Sequence, residues 1–262
     1  MADSGFIERH PYAFAISVEI LVIVVYLAAG VVDHFVHFGG LGMYALANAA
    51  LTVILAAALT ALRWWGKVGF RAATPKTLLL VVPMLLPAFV NLIPGLVAPG
   101  VPEVVGFLTL ALMVGFVEET AFRGLMLRAL EPRGTWRAVI ITTLLFSITH
   151  LMNIMAGEGG LQAVMQLLYA AAIGFAFAAL VLRTSTIWPL IIAHAVIDFV
   201  AFLQDPAAVL PPAVEIGIDL AITAIFTAYG IFILTRRSRT RADAPGLTVD
   251  AGVGPAAPGP AD

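Results

Sequence analysis

The sequence predicts an all-α fold, a polytopic transmembrane helical bundle of eight spans. Three observations predict it. Of the 262 residues, 61% are hydrophobic and only 11% charged, against about 25% charged in an ordinary soluble domain, and mean hydropathy is +1.01. Apolar runs long enough to cross a bilayer alternate with short connections punctuated by Gly and Pro. The 14 Lys and Arg residues gather at or near one end of these runs, the pattern that places cytoplasmic loops.

The first span, 12–32, is longer than a signal-peptide core and is flanked only by Arg9 and His10, so it reads as a retained helix. The second covers 43–62. The third, 77–94, contains Pro83 and Pro87 and is expected to kink. Pro94-Gly95 and Pro99-Gly100 separate it from the fourth, 102–127, which is long enough to tilt or to run beyond the interface. The remaining spans are 136–153, 162–182, 187–204 and, after Pro211-Pro212, 214–235.

The odd-numbered connections contain no Lys or Arg. The even-numbered ones and their edges carry Arg63, Lys67, Arg71 and Lys76, then Arg123, Arg128, Arg133 and Arg137, then Arg183. Arg9 precedes the first span, and Arg236, Arg237, Arg239 and Arg241 follow the last. Both termini are therefore expected in the cytoplasm. The compact chain and its Ala/Gly/Pro usage suit a bacterial inner membrane. Residues 1–241 read as a single transmembrane domain. Residues 242–262 read as a tail without hydrophobic periodicity, expected to be disordered.

The absence of Cys excludes disulfides, thiolate catalysis and Cys-based metal sites. No glycine-rich phosphate loop and no HExxH occurs. The basic C-terminal cluster is explained by topology, so no nucleic-acid partner is expected. The expected partners are membrane lipid and a membrane-associated peptide or protein.

Six ionisable residues stand out within spans four, five and seven: Glu118, Glu119, Arg123, His150, His194 and Asp198. Charged groups at membrane depth are costly; they face a bundle interior or a wet cavity and mark function. Glu118 lies ten residues before Arg128, His194 eleven after Arg183 and His150 thirteen after Arg137. At about 1.5 Å per residue these are depths of roughly 15, 16 and 20 Å, so the groups can meet in one layer, expected to be reached from the cytoplasmic side.

Glu118 and Glu119 are about 100° apart on an α-helix and are expected to have different jobs. Glu119 and Arg123, spaced i,i+4, can pair, leaving Glu118 to act as a base. His194 and Asp198 share the same spacing and can enter one cavity, while Asn153 lies near the face of His150. Ser147 reads as a helix-packing residue. A buried carboxylate can deprotonate water, and an imidazole can orient that water or donate to a developing oxyanion. The set Glu118, His150, His194 and Asp198 could instead hold zinc or another divalent metal. No clustered ligand motif demands one, and the metal-free version is preferred. From the residues alone the function is an intramembrane hydrolase or an ion-coupled carrier. The carrier reading lacks a matching helix interruption in a second half of the chain.

EETAFRG at 118–124 resembles the EExxxR motif of the CPBP family, the CAAX-protease and bacteriocin-processing membrane peptidases also called Abi. FSITH at 146–150 is similar to the family's FxxxH motif, and HAVID at 194–198 to its HxxxN motif. The similarity covers roughly residues 77 to 204, in the same order and spacing. It implies an eight-helix intramembrane endopeptidase with a CAAX-protease-like core, glutamate- or metal-dependent. Glu118 would activate water, His150 would assist it, His194 would lie near the oxyanion, and Glu119 and Arg123 would support. The departure is Asp198, where the motif usually has Asn. An amide donates to an oxyanion, whereas a carboxylate repels it. A non-catalytic membrane scaffold of the same fold is the alternative this residue raises. A bacterial peptide or membrane protein is a better expected substrate than a prenylated protein.

Overall fold

A computed structural model of the chain describes residues 4–39, 41–151 and 160–242, with side chains as far as Arg236. The short α1 (Ser4–Arg9) leads into α2 (Pro11–Val36), where Pro11 sits in the first turn and its missing N–H leaves no bond unmade. α2 packs on α3 (Gly42–Leu62), which is followed by the single turn α4 (Trp65–Val68). α5 (Pro75–Val90) starts at Thr74, whose hydroxyl caps Thr77 N at 3.2 Å. As expected, Pro83 and Pro87 interrupt it. It is α-helical over Pro75–Val81, a tighter 3-10 turn over Val82–Leu85, and α-helical again over Leu86–Val90.

α6 (Val101–Arg133) is the longest apolar helix. α7 (Thr135–Thr149), α8 (Gly160–Thr184), α9 (Trp188–Phe202) and α10 (Pro212–Ala242) complete the bundle. α8 is the central helix. Small residues at Ala172, Ala176, Ala178 and Ala179 are buried along it, which lets α7 and α10 approach closely. Large apolar side chains such as Phe35, Leu79 and Val101 instead face outward, as lipid contact permits. No strand occurs among the described residues.

Each expected apolar span contains a helix, and the chain is an integral membrane protein. Five helices, α2, α3, α6, α8 and α10, are long and apolar enough to cross a membrane. α5, α7 and α9 are shorter apolar helices. The 15 residues of α7 rise about 22 Å, less than a hydrocarbon core of about 30 Å. The fifth span was expected to run to 153, but α7 ends at Thr149, and residues 152–159 lie outside those described. The tail beyond residue 242 also lies outside them.

Both ends of α9 are tied to neighbouring loops. At its start Ile187 N donates to Gly69 O at 3.0 Å and Thr186 Oγ1 to Arg71 O at 2.8 Å. At its end Val97 N donates to Leu203 O at 2.8 Å and Asp205 N to Gly95 O at 3.1 Å. These four bonds satisfy backbone groups that a short membrane helix would otherwise leave bare. They also fix the helix that carries His194 and Asp198.

Candidate active site

The site begins with a change in the backbone of α6. After Glu118 the helix widens into π-type bonding over Glu119–Met126, and all eight of these residues are buried. Such i→i+5 segments occur most often at functional sites. Within this one, Arg123 Nη1 donates to Glu119 Oε1 at 3.0 Å, the pair the spacing predicts. Arg123 is 1% exposed and its guanidinium lies over the Phe146 ring, 4.0 Å from the centroid, a favourable place for a desolvated cation. Gly174 of α8 makes room for it, since a Cβ there would sit 2.8 Å from Phe146 Cδ1 and 3.0 Å from Arg123 Nη2.

His194 approaches from α9. Its Nδ1 is 2.9 Å from Glu119 Oε1, and its Nε2 is 3.5 Å from Glu118 Oε2 and 3.6 Å from Asp198 Oδ2. The two glutamates therefore meet at one imidazole, Glu119 at Nδ1 and Glu118 at Nε2, so the ring spans the angle between their two side chains. Close packing of α6 on α9 makes the meeting reachable. A Cβ at Gly115, one turn before Glu118, would stand 2.7 Å from Ile191 O and 3.3 Å from Ala195 N, so only glycine lets the helices come this near.

The protons follow from the acceptors. With Nδ1–H donated to Glu119, a neutral imidazole would turn an Nε2 lone pair toward two carboxylates. At least one proton must therefore sit among Nε2, Glu118 and Asp198. His150 is fixed differently. Its Nδ1 is 2.8 Å from the Phe146 carbonyl, which only accepts, so Nδ1 carries a proton and Nε2 is left for water or substrate.

His150, His194 and Asp198 line one cavity of about 950 Å³ with Asn91, Tyr169, Asp219 and many apolar side chains. Glu118 does not line it and adjoins it through His194. No hydrogen bond or ion pair joins His150 to Glu118 among the described residues. The cavity walls come from the end of α5, the start of α8, the second half of α9 and the start of α10. These are the helix ends remote from the basic connections. The depths of 15–20 Å had already reached the midplane of a core about 30 Å thick.

The structure thus brings Glu118, Glu119, Arg123, His194 and Asp198 into one contiguous cluster, with His150 across the cavity. Asn153 lies outside the described residues. Both nitrogens of His194 are turned to carboxylate oxygens, and no group of three or more His, Asp or Glu among the described residues is placed to hold an ion.

Asp219, in the cavity wall, and Glu19 are acids within the expected spans that escaped the sequence reading. Glu19 of α2 is buried and accepts from, or donates to, the Thr149 hydroxyl at 2.6 Å. An acid inside the apolar run ISVEILVIVV was the available signal, by the same rule that singled out Glu118.

Residues 100–200 match the family model described as Rce1-like, type II CAAX prenyl endopeptidase. Over these residues the chain is similar to that family. The match spans α6 to α9 and contains every residue of the cluster around His194, together with His150. No curated protein matches the chain. The three motif segments lie within the matched residues, while α2, with Glu19, lies outside them.

Proposed function

We propose that the chain is an intramembrane endopeptidase that hydrolyses a peptide bond of a membrane-associated peptide or protein. The approach of Glu118 Oε2 to His194 Nε2, 3.5 Å apart beside a large, mostly apolar cavity, carries the reading. In this mechanism Glu118, as a carboxylate, takes a proton from a water whose oxygen attacks the carbonyl carbon of the substrate. His150 Nε2 orients that water. His194, held through Nδ1 by Glu119 and Arg123, donates from Nε2 to the carbonyl oxygen as it gains charge. The proton on Glu118 then passes to the departing amine as the C–N bond breaks. Asp198 competes for the same Nε2 hydrogen, so it serves this step only when it carries a proton itself. Termini in the cytoplasm and a bacterial substrate complete the proposal.

The test compares membrane-peptide products from cells expressing wild type with those from cells expressing Glu118→Ala. A set of products present only with wild type is the expected result. Identical product sets, with both proteins accumulating equally, would overturn the peptidase reading.

A further inference from the structure

Glu19 is one of two acids in α2, and it is 6% exposed. Its Oε1 lies 2.6 Å from Thr149 Oγ1, which is also 3.0 Å from Leu145 O. A hydroxyl has one hydrogen and a carbonyl only accepts. Either the hydrogen goes to Glu19, or it goes to Leu145 and Glu19 supplies the second one. In both cases one short bridge ties the middle of α2 to the last turn of α7. The other carboxyl oxygen, Oε2, is buried without a hydrogen-bond partner among the described residues. Leaving such an atom bare costs about 1–3 kcal/mol, which packing alone gives no reason to bear.

The position of the bridge supplies a reason. Thr149 is the residue before His150, at the point where α7 ends. Thr149 closes the last turn of the helix, where the His150 N–H bonds to Ser147 O at 3.1 Å and its Nδ1 meets the Phe146 carbonyl at 2.8 Å. α2 packs against the Glu119–Met126 segment, and Tyr26 lies two turns beyond Glu19 on the same face of α2. Tyr26 is itself held by Asn48 Nδ2 at 2.9 Å. A polar face of α2 is thus turned toward the cluster from outside the family-matched residues.

We propose that Glu19 is a positioning residue for hydrolysis: through Thr149 it fixes the last turn of α7 and with it the direction of the His150 ring. This rests on the endopeptidase reading. An interhelical hydrogen bond in a membrane is worth only about 0.6 kcal/mol on average, so its loss leaves the bundle folded, but a ring displaced by about 1 Å can cost up to a hundredfold in rate.

The test uses the full chain in lipid nanodiscs with ¹⁵N-labelled histidine, the His150 signals being assigned by their loss in His150→Asn. Product yield in cells is measured in parallel. Glu19→Leu and the near-isosteric Thr149→Val should each shift or split the His150 signals and lower product yield roughly tenfold or more. Glu19→Gln still offers the hydroxyl both a donor and an acceptor and should keep both readouts. The double variant Glu19→Leu/Thr149→Val should lose no more than either single one. His150 signals unchanged in Glu19→Leu and Thr149→Val, or losses that multiply in the double variant, would overturn the proposal. So would a loss in Glu19→Gln equal to that in Glu19→Leu. The spectra do not depend on cleavage, so a failure of the peptidase reading would show as Glu118→Ala products matching wild type while the His150 shifts still report on the bridge.

Discussion

His194 Nδ1 stands 2.9 Å from Glu119 Oε1, and that same oxygen takes the hydrogen bond of Arg123 Nη1 at 3.0 Å. A single buried carboxylate oxygen thus connects the guanidinium under Phe146 to the imidazole on α9. The Glu–Arg pair holds its own helix and also orients a ring on another.

Arg123→Ala should leave Glu119 buried without its cation, at a cost of about 3–5 kcal/mol, read as a lower unfolding midpoint in detergent. Arg123→Lys restores the charge but not the planar group over Phe146. Its stability should fall between the two, and its product yield should stay low. A lysine variant with wild-type yield would show that only the charge matters.

Asp198→Asn should cleave at least as fast as wild type. The change leaves Glu118 as the one carboxylate facing His194 Nε2 and puts an amide donor where charge develops. His194→Ala should nearly abolish cleavage. A chelator should leave the wild-type rate unchanged, because His194 directs both nitrogens to carboxylates. Inactivation by chelator with recovery in zinc, together with weaker metal binding by Asp198→Asn, would contradict this.

Gly115→Ala places a methyl group 2.7 Å from Ile191 O, a backbone atom that cannot rotate away. The helices must separate, at a cost of about 1–3 kcal/mol, and Glu118 must withdraw from His194. The expected outcome is a folded protein with greatly reduced product yield, checked by unfolding midpoint and peptide products together. Full activity in this variant would show that α6 and α9 tolerate a wider gap.

Reporter fusions after Gly69, Gly100 and Arg133 should read inside, outside and inside. The basic connections around Gly69 and Arg133 set this order. Opposite sides for Gly69 and Arg133 would mean that the short α5 and the long α6 do not form a crossing pair.

Much of the cluster could be read in advance because Glu118, Glu119, Arg123, His150, His194 and Asp198 are ionisable residues in apolar surroundings, where each needs a reason to be present. The Glu119–Arg123 pair was legible as well, since i,i+4 spacing is local. The contact of Glu119 with His194 was not, as it spans 75 positions of the chain and depends on how α6 packs against α9. Nor was the π segment, because its residues read equally well as an ordinary α-helix. The interruption at Pro83 and Pro87 followed from ring geometry alone. The short length of α7 and α9 did not: hydropathy marks where a chain is apolar, while the helix ends were set by bonds to Gly69, Arg71, Val97 and Gly95. Glu19 is the lone charged residue of the span 12–32, with Ala15 and Ile23 at i−4 and i+4, so no local pairing marked it.

The cavity that His150 and His194 share is walled by helix ends remote from the basic connections, with exposed Leu161 and Val209 at its margin. If the basic connections lie in the cytoplasm, as proposed, that margin belongs to the outer half of the membrane. A polar inhibitor supplied outside intact cells could then reach the reactive groups without any uptake route, and drug efflux across the membrane would offer the cell no protection. On the proposed orientation and peptidase reading, a peptide held in the inner leaflet would have to cross the bilayer before it could be cut, and export would set the timing of cleavage.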